Sequence, residues 1–309
     1  MMKSLIRLLS AIIVFSLLLP AALAEAPEIP AADTTAETAV YKLPIDLTPG
    51  MKPNPKGYTG KWEYQDPTIS VKIEEGVMPT TEGTNRCSYW VATIKLADAS
   101  QLRTMAAGGF DSNRVTKGTT LAKRANAVLA INGDYFCYTR KGYIVRQGEE
   151  YLNLLDGDRD VLLIDENGDF HPVVKAKAGD IPADIDGKKI VNAFYFGPLL
   201  VENGEAVKMI YGADMAHDTG RQRMAICQVG PLEYKAICCA GPARGSSGLT
   251  LRQFANLCAE QGVQTAYNLD GGDSTMMIFK GEKINDVYNM SVRDIADIVY
   301  FASAWEGEQ

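Results

Sequence analysis

The chain has 309 residues and a formal net charge of −7, with 46% hydrophobic, 8% aromatic and 22% charged residues, an ordinary globular composition. Its two histidines, His171 and His217, sit in unrelated contexts, which argues against a His-built metal centre and leaves little material for a Ser-His-Asp triad. The acidic balance, without a dense Lys/Arg block, argues against a nucleic-acid platform.

Residues 1–24 read as a secretory signal. Lys3 and Arg7 form a positive start, Leu8–Leu19 is an apolar run broken only by serines, and Ala22-Leu23-Ala24 supplies the small-x-small cleavage pattern. Such a run spans roughly 18 Å as a helix, short of the ~30 Å bilayer core, which favours a cleaved leader over an anchor. No later segment is apolar for long enough to span a membrane. The expected product is an exported protein without stable membrane insertion, secreted or associated with the cell envelope. Export changes the reading of Cys87, Cys137, Cys227, Cys238, Cys239 and Cys258. They are either disulfide partners or small buried hydrophobes, and no C-x-x-C spacing marks a zinc or redox site.

Residues 25–57 carry six of the fourteen prolines and read as an extended tether. From Tyr58 the pattern turns β-rich. Ile69, Val71 and Ile73 alternate, as do Trp90, Ala92, Ile94 and Leu96. Further strands are expected at 128–132, 161–165, 190–196, 224–229, 234–239, 265–269, 275–279 and 295–301. Asn167-Gly168 and Asn203-Gly204 read as hairpin turns. Short helices are expected at 100–107 and 119–127, and a better one at 251–261, with Thr250 as N-cap and Gly262 beyond its end. The fold class is therefore α+β: one β-rich domain over about 58–305, a mixed sheet and a few flanking helices.

Three segments concentrate polar groups at strand ends. In Ala130-Ile-Asn-Gly-Asp-Tyr-Phe136, Asn132-Gly133 reads as a tight turn with Tyr135-Phe136 resuming a strand, or Asp134 is a carboxylate set beside aromatic surface suited to a sugar ring. Asn268-Leu-Asp-Gly-Gly-Asp-Ser-Thr275 reads as a hairpin, or as a ligand loop whose N–H groups form an anion-binding nest. Arg221, Arg223 and Arg293 precede strands and are either phosphate ligands or partners of nearby carboxylates, Asp294 or Asp297 in the case of Arg293. Together these groups suit a substrate that combines sugar and phosphate.

At the same loops the sequence resembles the phosphodiester glycosidase family. The resemblance is carried by Asp66–Ile73, Ala97–Thr104, the Asn-Gly loop at 130–136, Phe196-Gly-Pro-Leu-Leu-Val201, Arg223-Met-Ala225, the loop at 268–275 and the closing strand Arg293–Phe301. It implies cleavage of the bond between a sugar anomeric carbon and phosphate, with a carbohydrate phosphate as substrate and no cofactor or metal. By position, Asp270 and Asp134 become the catalytic carboxylates. Asn132, Gly133, Arg223, Asn268, Gly271, Gly272, Asp273, Ser274 and Arg293 become the substrate-binding set. Whether a carboxylate attacks the sugar or activates water depends on a separation of ~5 Å against ~6.5–9.5 Å. The chain departs from the family pattern at Gln222, Met224, Ala240 and Asp273. These departures leave a second reading, a noncatalytic envelope or polysaccharide-binding protein that keeps the fold.

Overall fold

A computed structural model describes residues 41–79, 86–208, 217–243, 246–285 and 293–307, so the leader expected at 1–24 lies outside the described residues. The strands that matter are, in chain order, β1 (Ile69–Pro79), β2 (Arg86–Leu96), β3 (Leu102–Ala106), β4 (Ala127–Asn132), β5 (Gly142–Arg146), β6 (Glu149–Leu154), β7 (Val161–Asp165), β8 (Phe170–Val173), β9 (Ile190–Tyr195), β10 (Leu199–Glu202), β11 (Arg223–Gly230), β12 (Glu233–Cys239), β13 (Thr265–Leu269), β14 (Met277–Phe279) and β15 (Asp297–Ala302). The α-helices are α1 (Gly118–Arg124), α2 (Phe136–Thr139) and α3 (Leu251–Glu260). The chain is predominantly β, and α+β overstates these few short helices.

The largest sheet runs β1-β2-β12-β11-β13-β10, antiparallel throughout, with short strands added at both edges. A second sheet has the order β8-β7-β9-β5-β6, and a third contains β14-β4-β15-β3. The main core joins all three. Leu129 and Ile131 of β4, Val299 and Phe301 of β15, and Leu162 and Ile164 of β7 meet residues of the large sheet there. Their sequence neighbours Ala130, Ile298 and Tyr300 pack on the opposite face with Leu121 of α1. Both faces of β4 and β15 are covered, which is why they read as continuous apolar runs rather than alternating ones. Each fully buried large apolar side chain contributes roughly 1.5–3 kcal/mol.

Helix α3 starts at a capping box. Thr250 Oγ1 accepts from Gln253 N at 3.2 Å, Gln253 Oε1 accepts from Thr250 N at 3.0 Å, and Leu251, Phe254, Leu257 and Cys258 turn into the core. The helix expected at 100–107 does not form. Asp98 and Gln101 close a single 3-10 turn, and Leu102–Ala106 is taken up as β3 by pairing with β15. The helix expected at 119–127 ends at Arg124, where Asn126 adopts φ 53° and redirects the chain into β4. Asn203 and Gly204, at φ 53° and 82°, make the tight hairpin after β10. Asn167-Gly168 lies in the turn joining β7 to β8.

Residues 41–57, assigned by composition to a tether, are held on the domain. Buried Arg103 donates to the carbonyls of Pro44, Asp46 and Thr48, each at 2.8 Å, and Leu43 is buried. All six cysteines are buried free thiols, the hydrophobe reading of the two. Cys87 lies beside Cys239 and Cys227 beside Cys258. No helix among the described residues is long and apolar enough to cross a membrane.

Candidate active site

The ends of the three sheets converge on one cleft. After β13 the chain leaves the large sheet at Asp270 and enters β14 of the third sheet, so the loop at 268–275 is a crossover and not a hairpin. After β4 the loop Gly133-Asp134-Tyr135 leads into α2, so Tyr135-Phe136 does not resume a strand. Asn132 fastens the two loops. Its Nδ2 donates to the carbonyls of Asp270 (2.7 Å) and Gly133 (3.1 Å), and its Oδ1 accepts from Met276 N at 3.1 Å. Asn268 donates to Gly197 O at 2.7 Å and anchors the other end of the crossover. Both side chains act on main chain.

Four of the crossover's N–H groups are already engaged within the protein. Gly271 N donates to Asp270 Oδ1 at 2.8 Å, Gly272 N to Gln222 O at 3.0 Å, Ser274 N to Gly271 O and Thr275 N to Gly272 O. These donors close the turn and dock it on the start of β11 instead of facing a ligand. Gly272 needs its left-handed φ of 58°, and a Cβ on Gly271 would stand 2.8 Å from Gln222 O.

The cleft has a volume of about 400 Å³, within the range of small-ligand sites, and is lined by Asp270, Gly271, Gly272, Asn268, Tyr135, Phe196 and the arginines 159, 221, 223 and 293. Beneath it lies a niche of about 10 Å³, the space of one water, bounded by Asn132, Gly133, Asp134, Asp270, Ser274, Arg293 and Asp297 among others. Asp270 borders both. Burial pushes its carboxyl up to about 6, with the Asp134 charge adding to the rise and Ser274, Arg293 and Gly271 N opposing it. A carboxyl poised near neutrality at a cleft floor is suited to proton transfer.

Arg293 is exposed and interacts with Tyr135 and Asp270. Burial pulls its guanidinium down, but those two neighbours win and its pKa is raised. Arg223 is buried. It donates to Leu249 O at 3.1 Å and Thr219 O at 2.9 Å, and burial followed by the Arg221 charge lowers its pKa to about 10. Tyr135 stacks on Tyr138 at 4.3 Å between centroids, presenting an aromatic wall beside Arg293. Arg159 lies over the Phe196 ring at 5.5 Å.

Asp134 does not open to the cleft. Its side chain is fully buried, pairs with Arg146 Nη2 at 3.0 Å, and accepts from Tyr195 N at 3.0 Å and Phe136 N at 3.3 Å. Arg146 Nη2 also lies 3.4 Å from Asp297 Oδ2, and its Nη1 donates to Ala193 O. Burial, then the Asp134 charge, drives the Asp297 carboxyl well above the usual range. A Cβ on Gly133 would come within 2.2 Å of Asp297 Oδ1, so the loop passes this group only as glycine. Sequence reading missed Arg146 and weighed Asp297 only as a surface partner for Arg293. The signal was a charged residue at each cleft-side end of two otherwise apolar strands, β5 and β15.

The side chains at the four family departures line neither the cleft nor the niche, although Gln222 and Met224 flank Arg223 and Asp273 lies within the crossover. Asp273 is exposed and borders neither the cleft nor the niche, so it is not placed with the substrate-binding set. Met224 points into the main core, Ala240 is buried there, and Gln222 packs against Gly241. Both histidines pair with neighbouring aspartates, His171 with Asp165 and His217 with Asp218. Among the described residues no group of three or more His, Cys, Asp or Glu is arranged to hold a metal ion.

The profile of the phosphodiester glycosidase family matches residues 125–302, more than half of the chain and all three converging loops. The chain belongs to the phosphodiester glycosidase family. Family membership brings glycosidase-type hydrolytic chemistry in general. No curated protein matches at the sequence level. Among solved structures, the fold is similar to the zebrafish N-acetylglucosamine-1-phosphodiester alpha-N-acetylglucosaminidase catalytic domain, auto-inhibited by its pro-peptide, with a TM-score of 0.63 and 19% identity over 77% of this chain and 84% of that one. A hypothetical protein from Synechocystis aligns with a TM-score of 0.49 and 15% identity over 75% of this chain and 62% of that one. At 19% identity the likeness to the zebrafish domain is one of fold.

Proposed function

We propose that this protein is an exported hydrolase that cleaves the sugar–phosphate bond of glycosyl-1-phosphodiesters. Its substrates are compounds of the N-acetylglucosamine-1-phosphodiester kind or the glycosyl phosphate linkages of cell-wall and capsule glycans. The observation that carries this reading is Asp270, raised to about 6 at the floor of an arginine-lined cleft and flanked by Ser274 and Arg293. Export rests on the leader-like composition of residues 1–24.

In this reading Arg293 and Arg223 neutralise the scissile phosphate, so the phosphomonoester departs without needing a strong acid. The Tyr135–Tyr138 wall packs a sugar face. Asp270, ionised, takes a proton from water as its oxygen bonds to the anomeric carbon and the carbon–oxygen bond to phosphate breaks. Asp134 is held by Arg146 and acts through the electrostatics of the niche. That the side chains of Met224, Ala240, Gln222 and Asp273 line neither the cleft nor the niche supports catalysis over binding alone.

Hydrolysis of an N-acetylglucosamine-1-phosphodiester in ¹⁸O-labelled water tests the reading. The label is expected in the released sugar and none in the phosphomonoester. Label in the phosphomonoester, or no turnover across varied glycosyl phosphodiesters, overturns it.

A further inference from the structure

The cleft carries more positive charge than one phosphodiester requires. Four guanidinium groups, from Arg159, Arg221, Arg223 and Arg293, line it, and among the described lining residues Asp270 is the one acidic side chain. The scissile phosphodiester brings one negative charge, and Arg223 with Arg293 already answers it. The chain as a whole is acidic, at −7, so this concentration is not a spillover of basic composition.

The two remaining arginines are held in place. The main chain of Arg221 is pinned to Leu249 in both directions, each bond 3.1 Å, while its side chain is exposed. Arg159 approaches from the opposite sheet, from the turn before β7, with its guanidinium over Phe196. Arg221 stands close enough to Arg223 to lower its pKa, a like-charge proximity that a bound anion relieves. Guanidinium forks match phosphate oxygens bidentately, and like-charged clefts concentrate ligands of opposite sign.

Resting on the glycosidase reading, we infer that Arg221 and Arg159 form a second phosphate subsite on the leaving-group side. The preferred substrate is then a polyanionic chain of glycosyl phosphates, in which every internal leaving group carries a further phosphate.

Calorimetric titration of the full chain at low ionic strength tests this with three non-hydrolysable phosphonate analogues of N-acetylglucosamine 1-phosphodiester. One is capped by propyl, one by 3-phosphopropyl and one by 3-carboxypropyl. The phosphate-bearing cap is expected to bind about tenfold or more tighter than propyl, and clearly tighter than the carboxylate. Arg221→Gln and Arg159→Gln should each shrink that ratio, and the double variant should bring it near one. Equal affinities for phosphate and propyl caps in the unaltered protein overturn the inference whether or not a variant folds. A full ratio retained in a folded double variant, or an equal gain with the carboxylate, does the same. If the affinity ratio holds while the hydrolysable counterparts are not cleaved, the glycosidase reading falls and the subsite stands.

Discussion

The side-chain amide of Asn132, at the end of β4, donates to the main-chain carbonyl of Asp270, at the end of β13, across 2.7 Å. Two strands from different sheets are thereby fastened at the point where the Asp270 carboxyl reaches the cleft. With Asp270 N donating to Gly133 O at 3.3 Å, the backbone of Asp270 is held from both sides while its carboxyl stays at the cleft.

Asn132→Asp keeps the acceptor for Met276 N but turns a donor into an acceptor facing the Asp270 carbonyl. A buried pair of acceptors should cost about 2 kcal/mol or more. Urea denaturation should show an earlier midpoint with an unchanged slope, and turnover should fall further than the lost stability explains.

Asp270→Asn should reduce turnover by ~10²–10⁴-fold. For the unaltered protein, kcat/KM should rise with pH to a plateau, with a midpoint near 6. A limb that falls through the same pH would assign Asp270 the acid role instead.

The same group has a signature in stability. Its folded pKa, about 6, lies above the usual 3.8, so between those values the folded state holds more protons than the unfolded. Stability is therefore lost as pH rises through this window, by roughly 1–3 kcal/mol. Asp270→Asn should raise the Tm at pH 7 and leave it nearly unchanged at pH 3.

Asp134 and Asp297 should respond to very different degrees to the same change. Burial and the charge of Asp134 favour the neutral form of Asp297, so Asp297→Asn should cost less than about 1 kcal/mol. Asp134→Asn strips the buried Arg146 of the carboxylate at 3.0 Å and should cost about 3–5 kcal/mol. Parallel urea titrations of both variants check the contrast.

Arg293→Lys and Arg223→Lys should each lower turnover about tenfold or more, because an ammonium lacks the planar fork. Their stabilities should differ. Arg293 is exposed, whereas Arg223 is buried and holds Leu249 O and Thr219 O, so only Arg223→Lys should lower the Tm markedly.

Much of this architecture was legible wherever local pattern and tertiary demand agree. Val161–Asp165 and Thr265–Leu269 form over the ranges their apolar runs predict. Leu102–Ala106 misled because its helical spacing was overruled by pairing with β15, a partner far along the chain. The loops bearing Asn132, Asp270 and Arg293 stood out by polar density. Their division of labour did not, since the hydrogen bonds that turn Asn132 and Asn268 into main-chain clamps exist only once distant segments meet. Arg146 was invisible for a related reason: it meets Asp134 only once β5 packs beside the loop after β4, and the other carboxyl beside it, Asp297, is 151 residues away.

The tie between Asn132 and Asp270 bridges 138 residues, and Asp297 beneath it comes from the last strand described. Contacts of such separation form late, after the entropy of closing long loops has been met. A chain still emerging from the ribosome therefore owns the first carboxylate loop but no catalytic centre. Competence arrives in one step once β15 has been made, and truncations that remove β15 should abolish the centre outright rather than erode it by degrees.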